Sequence, residues 1–325
     1  MDCQAPTSMI SYFHVTKRFA AAAYDAVDDV SFDVHGGTFV VILGESGCGK
    51  TTLLKMTNRL CEPTAGTISF AGQDIRGLPA TELRRQMGYV IQQVGLFPHM
   101  TVAENIAVTP KLLKWTAQRI ANRVDELLEL VRLPLDFRHR YPAQLSGGQQ
   151  QRVGLARALA ADPAVLLMDE PFGAIDAITR TSLQYEMRQL QDKLKKTVLF
   201  VTHDVDEALR LADRIVILRA GRLVQYDEPR RIVSAPANDF VRELLNTDDR
   251  IRQISLLRLE SVISPLDEPI DHSAPCLPAG AEVSQALSLL LQPGVETVLV
   301  TRDQTPIGQV TLANLRQAGS TSSVR

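Results

Sequence analysis

Apolar and polar side chains alternate along Val30-Ser31-Phe32-Asp33-Val34, the period of a strand with one buried face. Over the first ~35 residues this texture predicts edge or hairpin strands, closed by a turn at His35-Gly36-Gly37. Four later stretches each hold an unbroken apolar run: Thr38 to Leu43, Ala164 to Met168, Thr197 to Thr202 and Arg214 to Leu218. Unbroken apolar runs of this length predict strands buried on both faces, and helical patterns between them predict crossovers in a mostly parallel sheet. Thr64 to Gly72 reads as turn, short strand and turn. Residues from about 96 to 160 are helical in pattern, punctuated by Pro98, Pro110, Pro134 and Pro142.

Beyond about residue 250 the texture changes. Ser264-Pro265, Glu268-Pro269, Ala274-Pro275 and Leu277-Pro278 mark a loop-rich passage. A helix pattern follows from Val283 to Leu291, then strands at Thr297 to Val300 and Ile307 to Val310, then a last helix pattern. The expected organisation is a large α/β domain over 8–245, a linker over 246–257, a small α+β module over 258–317 and a frayed tail over 318–325.

Composition narrows the classes. The chain has 325 residues, 45% of them apolar and 22% charged, ordinary for a globular protein. The net charge of −2 offers no basic stripe for a nucleic acid, so no nucleic-acid partner is expected. Cys3, Cys48, Cys61 and Cys276 lack disulfide or metal-ligand spacing, as suits a reducing compartment. The start, Met1-Asp2-Cys3-Gln4-Ala5-Pro6, is acidic where a signal peptide is basic, and no run approaches the roughly 18 apolar residues of a membrane span. A cytoplasmic protein is expected, with any membrane contact made through a partner.

Ligands on parallel sheets sit at the carboxyl ends of the strands, and the chemistry-bearing residues fall there. Gly44-Glu45-Ser46-Gly47-Cys48-Gly49-Lys50-Thr51 fits the phosphate-binding pattern G-x-x-x-x-G-K-[ST] between a strand and a helix. Glycines let successive N–H groups turn inward onto phosphate oxygens, and the helix start adds partial positive charge. Lys50 would reach the terminal phosphates and the Thr51 hydroxyl would ligate Mg²⁺. Val165-Leu166-Leu167-Met168-Asp169-Glu170 is an apolar strand ending in two carboxylates. Asp169 would hold Mg²⁺ through its water shell, and Glu170 would orient and deprotonate an attacking water.

Leu145-Ser146-Gly147-Gly148-Gln149 sharpens "NTPase" into a family. Here the chain resembles the ABC ATPases, with LSGGQ as signature. Gln92 matches the Q-loop of that family, Gly173-Ala174-Ile175-Asp176 the D-loop and His203 the switch histidine, in the expected order over about residues 8 to 245. The resemblance implies a P-loop NTPase fold with an antiparallel β subdomain and a helical subdomain. It implies an ATPase using ATP and Mg²⁺, with Glu170, His203 and Gln92 catalytic, and Thr51, Gln92 and Asp169 around the metal. Gly44 to Thr52 would bind the nucleotide: Gly44, Glu45, Ser46, Gly47, Cys48, Gly49, Lys50, Thr51 and Thr52. Ser146, Gly147, Gly148, Gln149 and Asp176 would act in trans, two copies packing head to tail as a homodimer around ATP.

Phe19 matches the aromatic that stacks on adenine, with Tyr12 and Tyr24 as rivals. Glu45 stands where the family usually has proline, Thr51 where it has serine and Ile175 where it has leucine. Glu45 would weaken nucleotide binding slightly unless it points to solvent, and Cys48 is a small residue in a tight turn or an oxidisable one.

The chain holds one ATPase domain, so its channel would be separate integral membrane permease subunits. That implies a place on the inner face of the cell membrane and an indirect link to a substrate-binding protein. Met87 to Val102 and Asn58-Arg59-Leu60-Cys61-Glu62-Pro63-Thr64 resemble importers of osmoprotectant quaternary amines such as glycine betaine, choline and carnitine. Import of another small solute, or a soluble non-transport ABC ATPase, is the alternative. Residues 258 to 317 resemble a single CBS repeat, either a sensor of nucleotide or ionic strength or a plain dimerisation cap or remnant.

Overall fold

The computed structural model describes residues 8–20, 22–92, 95–173, 175–245, 259–266, 274–281, 283–302 and 305–321. The chain divides into two compact units, residues 1–229 and 230–325.

In the first unit, β1 (Ser8–Lys17) pairs antiparallel with β2 (Val27–His35) and with β4 (Ala65–Phe70), which in turn pairs with the short β5 (Gln73–Asp74). The alternation noted at Val30 to Val34 is real: Val30, Phe32 and Val34 are buried while Asp33 is exposed. The second sheet contains β3 (Phe39–Leu43), β6 (Met87–Val90), β7 (Val165–Asp169), β8 (Thr197–Thr202), β9 (Arg214–Arg219) and β10 (Arg222–Asp227). Its spatial order is β10-β9-β3-β8-β7-β6, parallel except for the β9–β10 hairpin at one edge. Every residue of β3, β7 and β8 is buried, the reason these strands show no alternation.

Apolar residues of both sheets, among them Ile10, Val30, Val40, Ile42, Leu167 and Val201, share one core with Leu53, Leu54 and Met56. The last three lie on α1 (Lys50–Thr57). α2 (Ala80–Arg85) precedes β6, and α3 (Val102–Leu112), α4 (Ala117–Leu130) and α5 (Gly147–Leu159) fill the stretch between β6 and β7. α6 (Ala177–Leu194) connects β7 to β8, and α7 (Val205–Leu211) connects β8 to β9.

The six-stranded sheet is complete at Asp227, so α8 (Pro229–Ser234) and α9 (Asp239–Leu245) have no strand to supply, and the division into compact units falls at Pro229. In the second unit β11 (Cys276–Pro278) runs parallel to β12 (Thr297–Arg302), which forms a hairpin with β13 (Thr305–Thr311). α10 (Val283–Leu290) packs Val283, Ala286 and Leu290 against Val298, Val300 and Val310. α11 (Leu312–Thr321) contributes Leu315 to the same core, and the helix continues through the first residues assigned to a frayed tail. The expected linker, 246–257, lies outside the described residues, as do 322–325.

Candidate functional site

Sheet order assembles the site. β3, β8, β7 and β6 are consecutive parallel neighbours, so the segments leaving their carboxyl ends emerge side by side. These carry, in the same order, Lys50 and Thr51, then His203, then Asp169 and Glu170, then Gln92.

After β3 the backbone turns tightly over the sheet. Gly49 has φ 106°, a conformation L side chains rarely adopt, and a Cβ there would stand 2.2 Å from the Ala26 carbonyl oxygen. At Gly44 a Cβ would stand 2.4 Å from the Leu218 carbonyl oxygen. These two glycines therefore answer to close approach by β9 and by the segment before β2. Cys48 is buried in the turn, and burial pushes its thiol above the usual range, which disfavours the reactive thiolate. That supports its reading as a small turn residue. Glu45, Ser46 and Gly47 are exposed, so the Glu45 charge is solvated. Lys50 is 4% exposed, and its Nζ donates to the carbonyl oxygens of Gly44 (2.7 Å) and Glu45 (2.8 Å). Among the described residues no carboxylate forms an ion pair with it. A buried ammonium balanced only by carbonyl dipoles, at a helix start lined with N–H groups, is an environment built for an anion.

The Thr51 hydroxyl donates to Asp169 Oδ1 at 2.8 Å. Burial holds the Asp169 carboxyl above the usual carboxylate range, opposed by the Thr51 hydrogen bond. A hydroxyl and a desolvated carboxylate oxygen converging on one point form a hard, all-oxygen donor pair. That set suits Mg²⁺, which takes one or two protein oxygens and fills the rest with water and phosphate. Among the described residues there is no cluster of three or more His, Cys, Asp or Glu, so no all-protein cage competes with this arrangement.

Glu170 follows immediately with φ 43°, in the left-handed region. Its N–H donates to Val201 O (2.9 Å), and its carbonyl accepts from Gly173 N (3.2 Å). This turn swings the carboxylate away from the Asp169 direction. Gln92 Nε2 donates to Glu170 Oε2 at 3.1 Å, leaving the Gln92 amide oxygen out of that bond. His203 Nδ1 lies 3.2 Å from Glu170 Oε1. Both carboxylate oxygens are thus held by groups from the neighbouring strand ends. The three catalytic candidates meet at one point.

Other expected residues lie apart. Ser146 caps α5: its hydroxyl accepts from Gln149 N (3.3 Å), and the Gln149 side chain accepts from Ser146 N (3.0 Å). These bonds stay within the helix start, none joins Ser146 to Lys50 or Glu170, and a Cβ on Gly147 would meet open space. Asp176 accepts from Arg180 N through its carbonyl (2.9 Å) and sits beside Ile175, whose carbonyl accepts from Arg180 Nη2 (2.9 Å). Tyr12 is removed as an adenine platform. It is 3% exposed, stacked on Phe32 with centroids 4.4 Å apart, and hydrogen-bonded to Thr57. Phe19 and Tyr24 are exposed in the segment that runs to Ala26, against Gly49, and Lys17 Nζ lies 5.2 Å from the Phe19 ring centroid. Reading strand ends alone missed the polar residues beneath them, Thr202, Glu207, Gln184 and Arg180. The legible signal was Glu207 among Ala208, Leu209 and Leu211, a carboxylate in an apolar helix face.

A family model described as ABC transporter matches residues 27–173. The chain is 49% identical over 296 residues to the glycine betaine uptake system ATP-binding protein of Escherichia coli (strain K12), covering 91% of this chain and 95% of that protein. It is 48% identical over 275 residues to the glycine betaine/carnitine/choline transport ATP-binding protein of Bacillus subtilis (strain 168), covering 85% and 71%. Among solved structures, a dimeric ATP-binding cassette in a post-hydrolysis state with ADP and Pi superposes with a TM-score of 0.61 at 33% identity. The match spans 68% of this chain and 99% of that one.

Proposed function

This chain belongs to the ABC transporter ATP-binding family, and from that premise we propose that it hydrolyses ATP to energise import of osmoprotectant quaternary amines. The observation that carries the ATPase reading is the convergence of four strand ends on one point. Lys50, buried beneath the glycine loop, donates to the Gly44 and Glu45 carbonyl oxygens, while Glu170 is clasped between Gln92 and His203. In this reading Lys50 and the loop N–H groups hold the β- and γ-phosphates. Glu170 accepts a proton from water as its oxygen attacks the γ-phosphorus, and the bond to the β–γ bridging oxygen breaks to leave ADP and phosphate. His203 donates to the γ-phosphate. Thr51, Asp169 and the amide oxygen of Gln92 would hold Mg²⁺, which supplies charge neutralisation at the phosphates.

The solute class rests on relatives alone, because an ATPase subunit makes no contact with the cargo. Curated proteins named for uptake of glycine betaine, choline, carnitine and osmoprotectants match this chain at 44–49% identity. Relatives named for spermidine/putrescine and sulfate/thiosulfate import match at 45% and 48% over shorter stretches. Among the described residues no helix is long and apolar enough to cross a membrane, which supports partnership with separate permease subunits at the inner face of the membrane. The β–α–β–β–α order of β11, α10, β12, β13 and α11 supports the CBS-like reading of the second unit.

Uptake of labelled glycine betaine, choline and carnitine by cells expressing the chain with its permease tests the solute class. Uptake of at least one of them, lost with Lys50→Ala, is the expected result. Normal uptake of a polyamine or sulfate with none of the three would replace this reading with another importer.

A further inference from the structure

Beside His203, a network of polar side chains centred on the buried Thr202, Glu207 and Gln184 is left unused by the hydrolytic reading. Thr202, the last residue of β8, is 2% exposed, and its hydroxyl donates to Glu207 Oε2 at 2.6 Å. The Thr202 hydroxyl oxygen in turn accepts from Asp204 N at 3.0 Å. Glu207, on α7 and 4% exposed, accepts through Oε1 from Gln184 Nε2 of α6 (3.1 Å), and the Gln184 oxygen accepts from Arg210 Nη1 (3.0 Å). Asp204 Oδ1 accepts from the N–H groups of Asp206 (2.8 Å) and Glu207 (3.1 Å), and Arg180 Nη1 lies 3.8 Å from Asp204 Oδ2. On one side of His203, Thr202 is anchored directly to the Glu207 carboxyl; on the other, Asp204 is tied to it through the Thr202 hydroxyl, while the imidazole itself remains largely exposed beside Glu170.

Burying a carboxyl is costly, and desolvation raises the pKa of Glu207 accordingly. An apolar side chain of similar volume would hold α7 on the sheet as well or better. What an apolar side chain cannot do is fix the rotation of the Thr202 hydroxyl and, through it, the Asp204 amide. We propose that Glu207 is a positioning residue for ATP hydrolysis, acting through Thr202 to hold the backbone that aims His203 at the Glu170 carboxylate and the γ-phosphate. The inference rests on the reading of His203 given above and deepens it. Gln184 extends the clamp to α6, the helix that leaves the Ile175-Asp176 turn.

The test uses the full chain, assayed for kcat and for ATP affinity well below the melting temperature of each variant. Thr202→Val keeps the side-chain shape and removes both hydrogen bonds. Turnover is expected to fall on the order of 10- to 100-fold with ATP affinity retained, the mark of a misplaced group rather than a lost binding contact. Thr202→Ser, which keeps the hydroxyl, restores turnover. Glu207→Gln keeps one acceptor oxygen where the structure uses two, so the Thr202 and Gln184 hydrogen bonds cannot both persist, and it is expected to show the same kcat-only loss, so the test stands even where valine prevents folding. Normal turnover in Thr202→Val and Glu207→Gln, or equal losses of affinity and turnover, overturns the proposal. His203→Ala, assayed alongside, separates the two readings. If it is impaired while these variants are normal, only the clamp fails. If His203→Ala itself turns over normally, the histidine assignment fails and the clamp with it.

Discussion

Asp169 and Glu170 are adjacent in sequence and opposite in surroundings. Asp169 ends β7 inside the sheet, 8% exposed, bonded to a hydroxyl, with its carboxyl raised by burial. Ionising it there costs free energy that a nearby cation recovers, which suits a metal-facing role. Glu170, one residue on, has left the strand through a positive φ and faces two side chains able to donate hydrogen bonds. A non-glycine residue held at such a φ costs on the order of 1 kcal/mol or more, and it persists where neighbours over-determine it. Here the Val201 carbonyl and the Gly173 amide do so. Glu170→Gln keeps the shape and removes the proton acceptor, so phosphate release should fall by about 10²–10⁴-fold while affinity for ATP is unchanged. Turnover within a few fold of normal, measured by phosphate release, would remove Glu170 from its role. The pairing of these two residues was legible in the sequence as an apolar strand ending in acids. Their divergence was not, because it depends on one backbone dihedral and on partners that arrive from β6 and β8.

The elements most legible in the sequence were those with extreme burial. β3, β7 and β8 are buried throughout, and their runs stood out against charged surroundings to within a residue at each end. The second unit was harder to delimit. β13 starts at Thr305 rather than Ile307 because hairpin pairing with Arg302 recruits polar residues that no hydrophobic pattern marks. α11 continues past Gly319, since a single glycine weakens a helix without ending it. α5 shows a third case. Its start, Ser146-Gly147-Gly148-Gln149, was read for an anion site, yet the structure also shows a capping box that secures the helix by itself. Ser146→Ala should therefore lower stability by about 1 kcal/mol, read as a drop in the denaturant midpoint, whatever it does to hydrolysis. An unchanged midpoint would mean that the cap contributes nothing and the serine is present for ligand alone.

At the scale of the whole molecule, two groups of residues proposed to bind ATP share no hydrogen bond among the described residues. One is the Lys50 loop with the Glu170 cluster; the other is the exposed start of α5, where a Cβ on Gly147 would meet only open space. Two copies arranged head to tail would give each bound ATP a phosphate loop from one chain and a helix start from the other, and a related cassette has been seen as a dimer with ADP and Pi. No residue in a single chain displays that arrangement, so it could be read only from resemblance. The direct measurement is ATP hydrolysis by a mixture of two inactive variants, Lys50→Ala and Ser146→Arg. Heterodimers of the two contain one intact composite site, so the mixture should hydrolyse ATP well above either variant alone. A mixture that forms heterodimers and stays as inactive as its components would contradict the shared site.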